Sequence, residues 1–355
     1  MNRSTLVFPA GMTRSLEYLE SSHKRKKIIG ASSIVNDSFK SLYNKWINLP
    51  FVTDDNFKSS LIEAIKQYNI GEIFTPNPVI WECINGIIKD YSLDIEINKS
   101  PILTEIAPYQ ASILFAENLI KQPLRISTSG KIKKNADLNK IASVFRHGES
   151  IPGMCDRNKL SALCEIARCT PEGDIVEIGS WWGKSAFILT ALSDIYKIGK
   201  VLCIDPWTNL DLLQNDKKNL VDKIEVDANF AFEIFNINLL LYAGKLINYI
   251  RKPSNLALQV YTNKKVISTP EFGSTKYKGT ISILHIDGNH SYDNAIQDIR
   301  NWCPLVSPGG WIIIDDYTWP YGDGPKKAAD EYFNNSEMIS TGFVMGGALF
   351  IKTNE

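Results

Sequence analysis

Apolar residues fall along this chain in short blocks separated by polar stretches of helical character. The runs "TLVFPAG" (5–11), "KKIIGASS" (26–33), "WINLPFV" (46–52) and "GEIFTPNP" (71–78) are each closed or interrupted by Gly, Pro or Ser. Between and after them lie expected helices over Thr13 to about Ser22, near Asn56 to Tyr68, and Val79 to Lys89. Strand and helix alternating at this spacing predict βαβ units and a parallel sheet. From 121 to 140 the chain reads "KQPLRISTSGKIKKNADLNK", polar and Lys-rich, the composition of a linker or exposed connection.

Past residue 141 the alternation resumes. Leu160, Leu163, Cys164 and Ala167 recur at helical spacing behind Asp156, an N-cap type. Five apolar runs follow: "DIVEIGS" (174–180), "KVLCIDPW" (200–207), "LINYIRKPS" (246–254), "ISILHIDGNH" (281–290) and "GWIIIDDY" (310–317). "STGFVMGGALFIKT" (340–353) is two short runs around Gly346-Gly347, an antiparallel hairpin at a sheet edge. The fold class is therefore α/β, with a smaller N-terminal domain (1–120), a linker (121–140) and a C-terminal domain (141–355).

Composition narrows the field. Lys plus Arg and Asp plus Glu are 39 each, so no global field favours nucleic acid or an anionic membrane. The run HKRKK (23–27) sits between a helix and a strand, where solvated charge is common. No apolar stretch is long enough to span a bilayer, and the first residues do not read as a signal peptide. The 6 cysteines form no C-x-x-C pair and are expected as free thiols, which points to the cytoplasm. With only 4 histidines, a His-rich metal site is excluded.

The turn after "DIVEI" tests three nucleotide patterns. A Walker loop would need glycine at Ile178, and a dinucleotide fingerprint would need it at Trp181. Glu177, Gly179 and Gly183 satisfy the third, E-x-G-x-x-x-G, which is the S-adenosylmethionine loop of Rossmann-like methyltransferases. Ser180 lies within it. Asp205 ends the next strand, at the distance expected for a carboxylate that accepts from ribose hydroxyls.

Ligands in open parallel sheets sit beyond the carboxyl ends of the strands. Asp287 ends one such strand, and Asp315 and Asp316 end another. Three converging carboxylates call for compensation, and a hard divalent cation, Mg²⁺ or Mn²⁺, supplies it through oxygen ligands. His290 is then placed to take a proton from an acceptor hydroxyl, whereas His285 alternates within a buried strand and reads as a satisfied core residue.

Residues 141–355 resemble the class I S-adenosylmethionine-dependent methyltransferases. More narrowly they are similar to the metal-dependent sugar O-methyltransferases of macrolide biosynthesis and their cephalosporin-pathway and rhamnosyl relatives. The segments carrying this are "VEIGSWWGKSAF", "CIDPW", "HIDGNHSYDNAIQDI", "LVSPGGWIIIDDY" and "GPKKAADEYF". The resemblance implies a mainly parallel seven-stranded sheet with an antiparallel terminal hairpin. It also implies metal ligation by Asp287, Asp315 and Asp316, with His290 as general base. Some relatives place a carboxylate base where this chain has Asn289, which favours His290.

Ser254 is an adenine-side candidate, and Trp207, Tyr317 and Trp319 are candidate walls of an acceptor pocket. The implied acceptor is a hydroxyl of a sugar or sugar-nucleotide. An amine acceptor, and a binding protein without turnover, stay open at this point, with a dehydrogenase more remote.

The N-terminal stretches "LVFPAGMTRSLEYLE", "IIGASS" and "IFTPNPVIW" resemble the small Rossmann-like domain that precedes ATP-grasp domains. No ATP-grasp domain follows here, so ATP-dependent ligation is not implied. Binding of part of the acceptor or a partner, or support of a homo-oligomer, are the roles left for it.

Overall fold

The computed structural model describes residues 3–22, 27–124, 126, 132–211, 213–214, 226–334, 336 and 339–355. His23 and the rest of the basic run except Lys27 lie outside them. Two compact units divide the chain, Met1–Gln110 and Ala111–Glu355.

The first unit is a five-stranded parallel sheet, ordered β3-β2-β1-β4-β5. Its strands are β1 (Ser4–Val7), β2 (Ile28–Ser32), β3 (Lys45–Asn48), β4 (Ile70–Phe74) and β5 (Glu96–Ile97). Helices α1 (Thr13–Ser21), α2 (Phe57–Gln67) and α3 (Pro78–Asp90) form the crossovers. Asn77 starts α3 by accepting from the backbone of Val79 and Ile80, with Pro78 at the first helical position where no N–H is required. β2 is buried at every position, as a central parallel strand covered on both faces must be.

The division at 110/111 falls inside α4 (Pro101–Lys121), ahead of the boundary expected at 120. The described part of the expected linker is tied to the second unit. Lys133 donates from its backbone to Arg168 O at 3.0 Å and from Nζ to Tyr196 O at 2.7 Å.

The second unit is a seven-stranded sheet, ordered β13-β14-β12-β11-β6-β7-β8. Five strands are parallel: β6 (Asp174–Ile178), β7 (Val201–Ile204), β8 (Ile247–Ile250), β11 (Ile281–Ile286) and β12 (Val306–Ile314). The hairpin β13 (Ile339–Met345) and β14 (Ala348–Thr353) adds antiparallel to β12. This is the expected Rossmann-like α/β architecture. A separate two-stranded ribbon, β9 (Val266–Thr269) with β10 (Gly273–Lys276), was not expected.

Helices α5 (Leu138–Ser150), α6 (Arg157–Cys169), α7 (Lys184–Tyr196) and α8 (Ala228–Leu239) supply residues to one apolar cluster, with Ile175, Cys203, Ile283 and Ile313 from the sheet. Helices α9 (Ser254–Asn263), α10 (Tyr292–Trp302) and α11 (Gly324–Phe333) supply the other, with Val176, Leu202, Leu284 and Ile312. Alternation along each strand sorts the side chains, so odd-numbered positions of β6, β7, β12 and of β11 from Ile283 onward share the face of α6. Register then sets Glu177 between Cys203 and His285, in one row across three strands. No helix among the described residues is long and apolar enough to cross a membrane, and all six cysteines are free.

Candidate active site

The loop after β6 is built by tight approach. Gly179 has φ +83°, and a Cβ there would lie 1.9 Å from the Asp287 carbonyl oxygen, so the glycine is required by the neighbouring strand end itself. Trp181 adopts a left-handed φ of 45°. It is held by Asp205, whose Oδ2 accepts from Trp181 N at 3.0 Å while Oδ1 accepts from Trp207 N at 2.8 Å. Gly183, at φ +86°, starts α7 and donates to Ser180 O at 2.7 Å. Burial pushes the Asp205 carboxyl up to about 6, against the backbone donors that favour its charged form. One carboxylate thus ties the ends of β6 and β7 into a single rim.

Two residues expected at the cofactor are engaged elsewhere. Glu177 is 0% exposed, and its carboxylate accepts or shares a proton with His285 Nδ1 at 3.0 Å. An odd-numbered side chain within β6 points into the α6 face, and only the residues after the strand reach the rim. Ser254, at the start of α9, donates its hydroxyl to Asp298. Asp298 is itself raised to about 6 by burial, with Ser254 opposing. Ser180 is buried beneath the loop.

Beyond β11 and β12 the ladder continues for one more residue. Asp287 N donates to Ile178 O and Asp315 N to Ile286 O, each at 2.8 Å, so both carboxylates start from adjacent strand ends. The three expected metal ligands do not form one cluster. Among the described residues, His285, Asp287 and Asp315 offer ligand atoms within 4.8 Å of one another, as do Asp287, His290 and Asp316, with Asp287 common to both. Consecutive residues at a strand end project oppositely, and Asp316 also turns left-handed at φ 50°. Asp315 therefore faces inward and Asp316 outward.

The inner group contains a lysine. Lys159, in the first turn of α6, has a side chain only 2% exposed; its ammonium contacts Asp315 and lies 3.9 Å from Asp287. Asp315 Oδ1 accepts from Asp316 N at 3.0 Å, so both of its oxygens are engaged. Burial alone would raise Asp315, but Lys159 and then His285 hold its carboxyl well below the usual range. Asp287 moves the other way, pushed well up by burial and by the charge of Asp315, with Lys159 too distant to offset them. His285 is less satisfied than a core histidine should be. Its Nε2 is buried without a hydrogen-bond partner, 3.6 Å from Asp315 Oδ2.

The outer group carries the imidazole. His290 Nε2 lies 2.8 Å from Asp316 Oδ2, and Nδ1 is buried with no hydrogen-bond partner. The Trp319 ring packs 4.4 Å from the His290 ring at 58°. Of the three aromatic wall candidates, only this one lies against the imidazole. Trp207 is buried among Phe232, Phe235 and Tyr249, and Tyr317 donates to Asp330 at 2.7 Å. Asn289 accepts from Ser291 N at 3.0 Å and donates to Leu213 O at 2.8 Å.

Residues 176–317 match a family model described as a methyltransferase domain. This segment is a methyltransferase domain. It spans β6 through β12 and takes in the Gly-containing loop, Asp205 and both acidic strand ends.

An uncharacterized protein of Acanthamoeba polyphaga mimivirus is 30% identical over 144 residues, 40% of this chain and 50% of that protein. The chain thus spans about half the length of the curated relative it matches. Among solved structures, the O-methyltransferase NovP is 19% identical with a TM-score of 0.41, covering 55% of this chain and 80% of NovP. A TDP-rhamnose 3'-O-methyltransferase of calicheamicin biosynthesis is 14% identical with a TM-score of 0.38, covering 72% of this chain and 96% of that one. The MycE methyltransferase, in complex with Mg, SAH and mycinamycin VI, is 15% identical with a TM-score of 0.31, covering 52% and 45%.

Pattern reading of the second unit missed Lys159. The signal was present: Lys159 shares its helical side with Ala162, Leu163 and Ile166, all buried. A lysine on an apolar stripe needs a buried counter-charge.

Proposed function

We propose that this chain transfers a methyl group from S-adenosylmethionine to a hydroxyl oxygen of a small acceptor of the sugar or sugar-nucleotide type. The observation that carries the reading is His290, oriented by Asp316 and next to Asp287, on the strand end that touches Gly179. When bound, S-adenosylmethionine supplies an electrophilic methyl carbon, and a hard divalent cation acidifies a coordinated hydroxyl.

The residues fit both groups. Asp205 fixes the loop and keeps a second lone pair on each oxygen for ribose hydroxyls. Asp287 and Asp316 offer oxygen donors beside His290. Asp315, an expected ligand, stands behind them on the inner side, paired with Lys159. A ring proton on Nε2, facing Asp316 Oδ2 at 2.8 Å, would leave the Nδ1 lone pair to receive the acceptor's proton. Asp316 then stabilises the imidazolium, and Trp319 shields the ring from water.

Purified protein incubated with methyl-labelled S-adenosylmethionine, Mg²⁺ or Mn²⁺ and a sugar-nucleotide panel should give a product carrying the label on oxygen. Label on nitrogen that persists in excess chelator would replace the reading with amine methylation, because an amine needs a base but hardly a metal. No label on any acceptor, with no binding of S-adenosylmethionine, would remove it.

A further inference from the structure

Lys159 is held more firmly than a surface lysine could be. Its backbone N–H caps onto Asp156 Oδ1 at 2.7 Å. The Gly346 turn between β13 and β14 presses on the same place, where an added Cβ would sit 2.5 Å from Lys159 N. Its stem packs among buried residues of α6 and its ammonium reaches Asp315, with Asp287 at 3.9 Å. A second buried group aims at the same carboxylate, the unpartnered His285 Nε2, 3.6 Å from Asp315. The inner side of the carboxylate cluster is thus already provided with one positive charge from the protein, the Lys159 ammonium.

We propose that Lys159 is the resident cation of the Asp287–Asp315 pair, and that it confines a divalent cation to the Asp287–Asp316 side and keeps that cation weakly held. This rests on the metal-assisted function proposed above. A fixed ammonium close to Asp287 repels a divalent ion across a poorly screened interior, where like charges interact far more strongly than in water. The lysine pairs with the inward-facing Asp315, which leaves the outward-facing Asp316 to serve His290 and the ion. Lys159 is a positioning residue: it touches neither acceptor nor methyl donor, and it acts through the two aspartates.

The test is Mn²⁺ binding, with Mn²⁺ alone as the probe, read by calorimetry or electron paramagnetic resonance on the full chain. Lys159→Gln should bind Mn²⁺ at least tenfold more tightly than the wild type, and Lys159→Arg should bind as the wild type does. A purely structural lysine would give the opposite result, since loosening a site weakens its metal. Should the single glutamine variant fail to fold, the neutral pair settles the matter. Lys159→Gln/Asp315→Asn buries no unpaired charge and should bind Mn²⁺ at least tenfold more tightly than Asp315→Asn, in which the ammonium still blocks Asp287. Equal or weaker binding in the glutamine variants, or no Mn²⁺ bound by any protein, overturns the proposal. Failure of methyl transfer to every acceptor, with these Mn²⁺ differences intact, would count against the proposed reaction and leave the role of Lys159 standing.

Discussion

The parallel strands of the two units are wound in the same order. β3-β2-β1-β4-β5 of the first unit matches β8-β7-β6-β11-β12 of the second, strand for strand. The residues just past the equivalent strands differ in kind. Phe8, Ser33, Thr75 and Asn98 follow β1, β2, β4 and β5, where Gly179, Asp205, Asp287 and Asp315 follow β6, β7, β11 and β12. In the first unit the strand ends are sealed by neutral contacts. Asn98 accepts from Thr75 N at 2.7 Å and donates to Thr75 O at 3.0 Å. A depression of about 360 Å³ past β1 and β2 holds one carboxylate, Asp37, and that is spent on Phe39 N at 2.9 Å. In the second unit two of the same positions, Asp287 and Asp315, set acids beside a buried lysine. Topology provides the place, and the residues past the strands decide whether it carries chemistry.

The comparison breaks first if a carboxylate is tolerated in the neutral sheet. Thr75→Asp puts an acid at the position equivalent to Asp287 with no lysine beneath it, and should cost roughly 3–5 kcal/mol. Denaturant unfolding of the N-terminal unit measures it, and a loss under about 1 kcal/mol would show that the two strand ends differ less than their contacts suggest. In the acidic sheet, His290→Ala should lower turnover by about a hundredfold or more, the usual scale for a lost general base. Affinity for S-adenosylmethionine should stay near wild type, since the ring faces Asp316 and Trp319 and not the loop after β6. Unchanged turnover would remove His290 from the reaction.

Asp298 has a raised carboxyl, from 3.8 to about 6, so the folded state holds its proton more tightly than the unfolded chain does. Its contribution to stability is complete below the unfolded pKa and is lost as pH rises through about 6. Asp298→Asn keeps a neutral side chain at every pH. The stability of the wild type relative to this variant should therefore fall by on the order of 2 kcal/mol between pH 4 and 7. A difference independent of pH would show that the Ser254 hydroxyl and nearby solvent fully support the charge. The smallest effect is expected at the rim. Asp205→Ala frees Trp181 N and Trp207 N and should weaken S-adenosylmethionine binding about tenfold, roughly 1.4 kcal/mol. An unaltered dissociation constant would place the cofactor away from this carboxylate.

Most strands of the two sheets were legible because parallel strands buried on two faces read as apolar runs, as β2 and β7 do, whereas β5, two residues long, was not expected. The helix α4 was not expected. It contains Pro108 and has no single apolar stripe, so neither periodicity nor capping marks it. The ribbon β9–β10, "VIST" and "GSTK", is short and half-exposed, below what alternation can reveal. At the site, the acids and His290 could be named from the strand ends alone. The split between Asp315 and Asp316 follows from pleating, but the partner that Asp315 meets, Lys159, comes from a helix over a hundred residues earlier. Glu177 shows the converse limit, since a motif position was expected at the cofactor while its strand parity sends it beneath the sheet to His285.

A crystal grown with S-adenosylhomocysteine and soaked in Mn²⁺ tests the central claim most directly, through the anomalous signal of the metal. One peak is expected beside Asp287, Asp316 and His290, with Lys159 still on Asp315. A peak seated between Asp315 and His285 with Lys159 displaced, or S-adenosylhomocysteine bound away from the Gly179 loop, would contradict it.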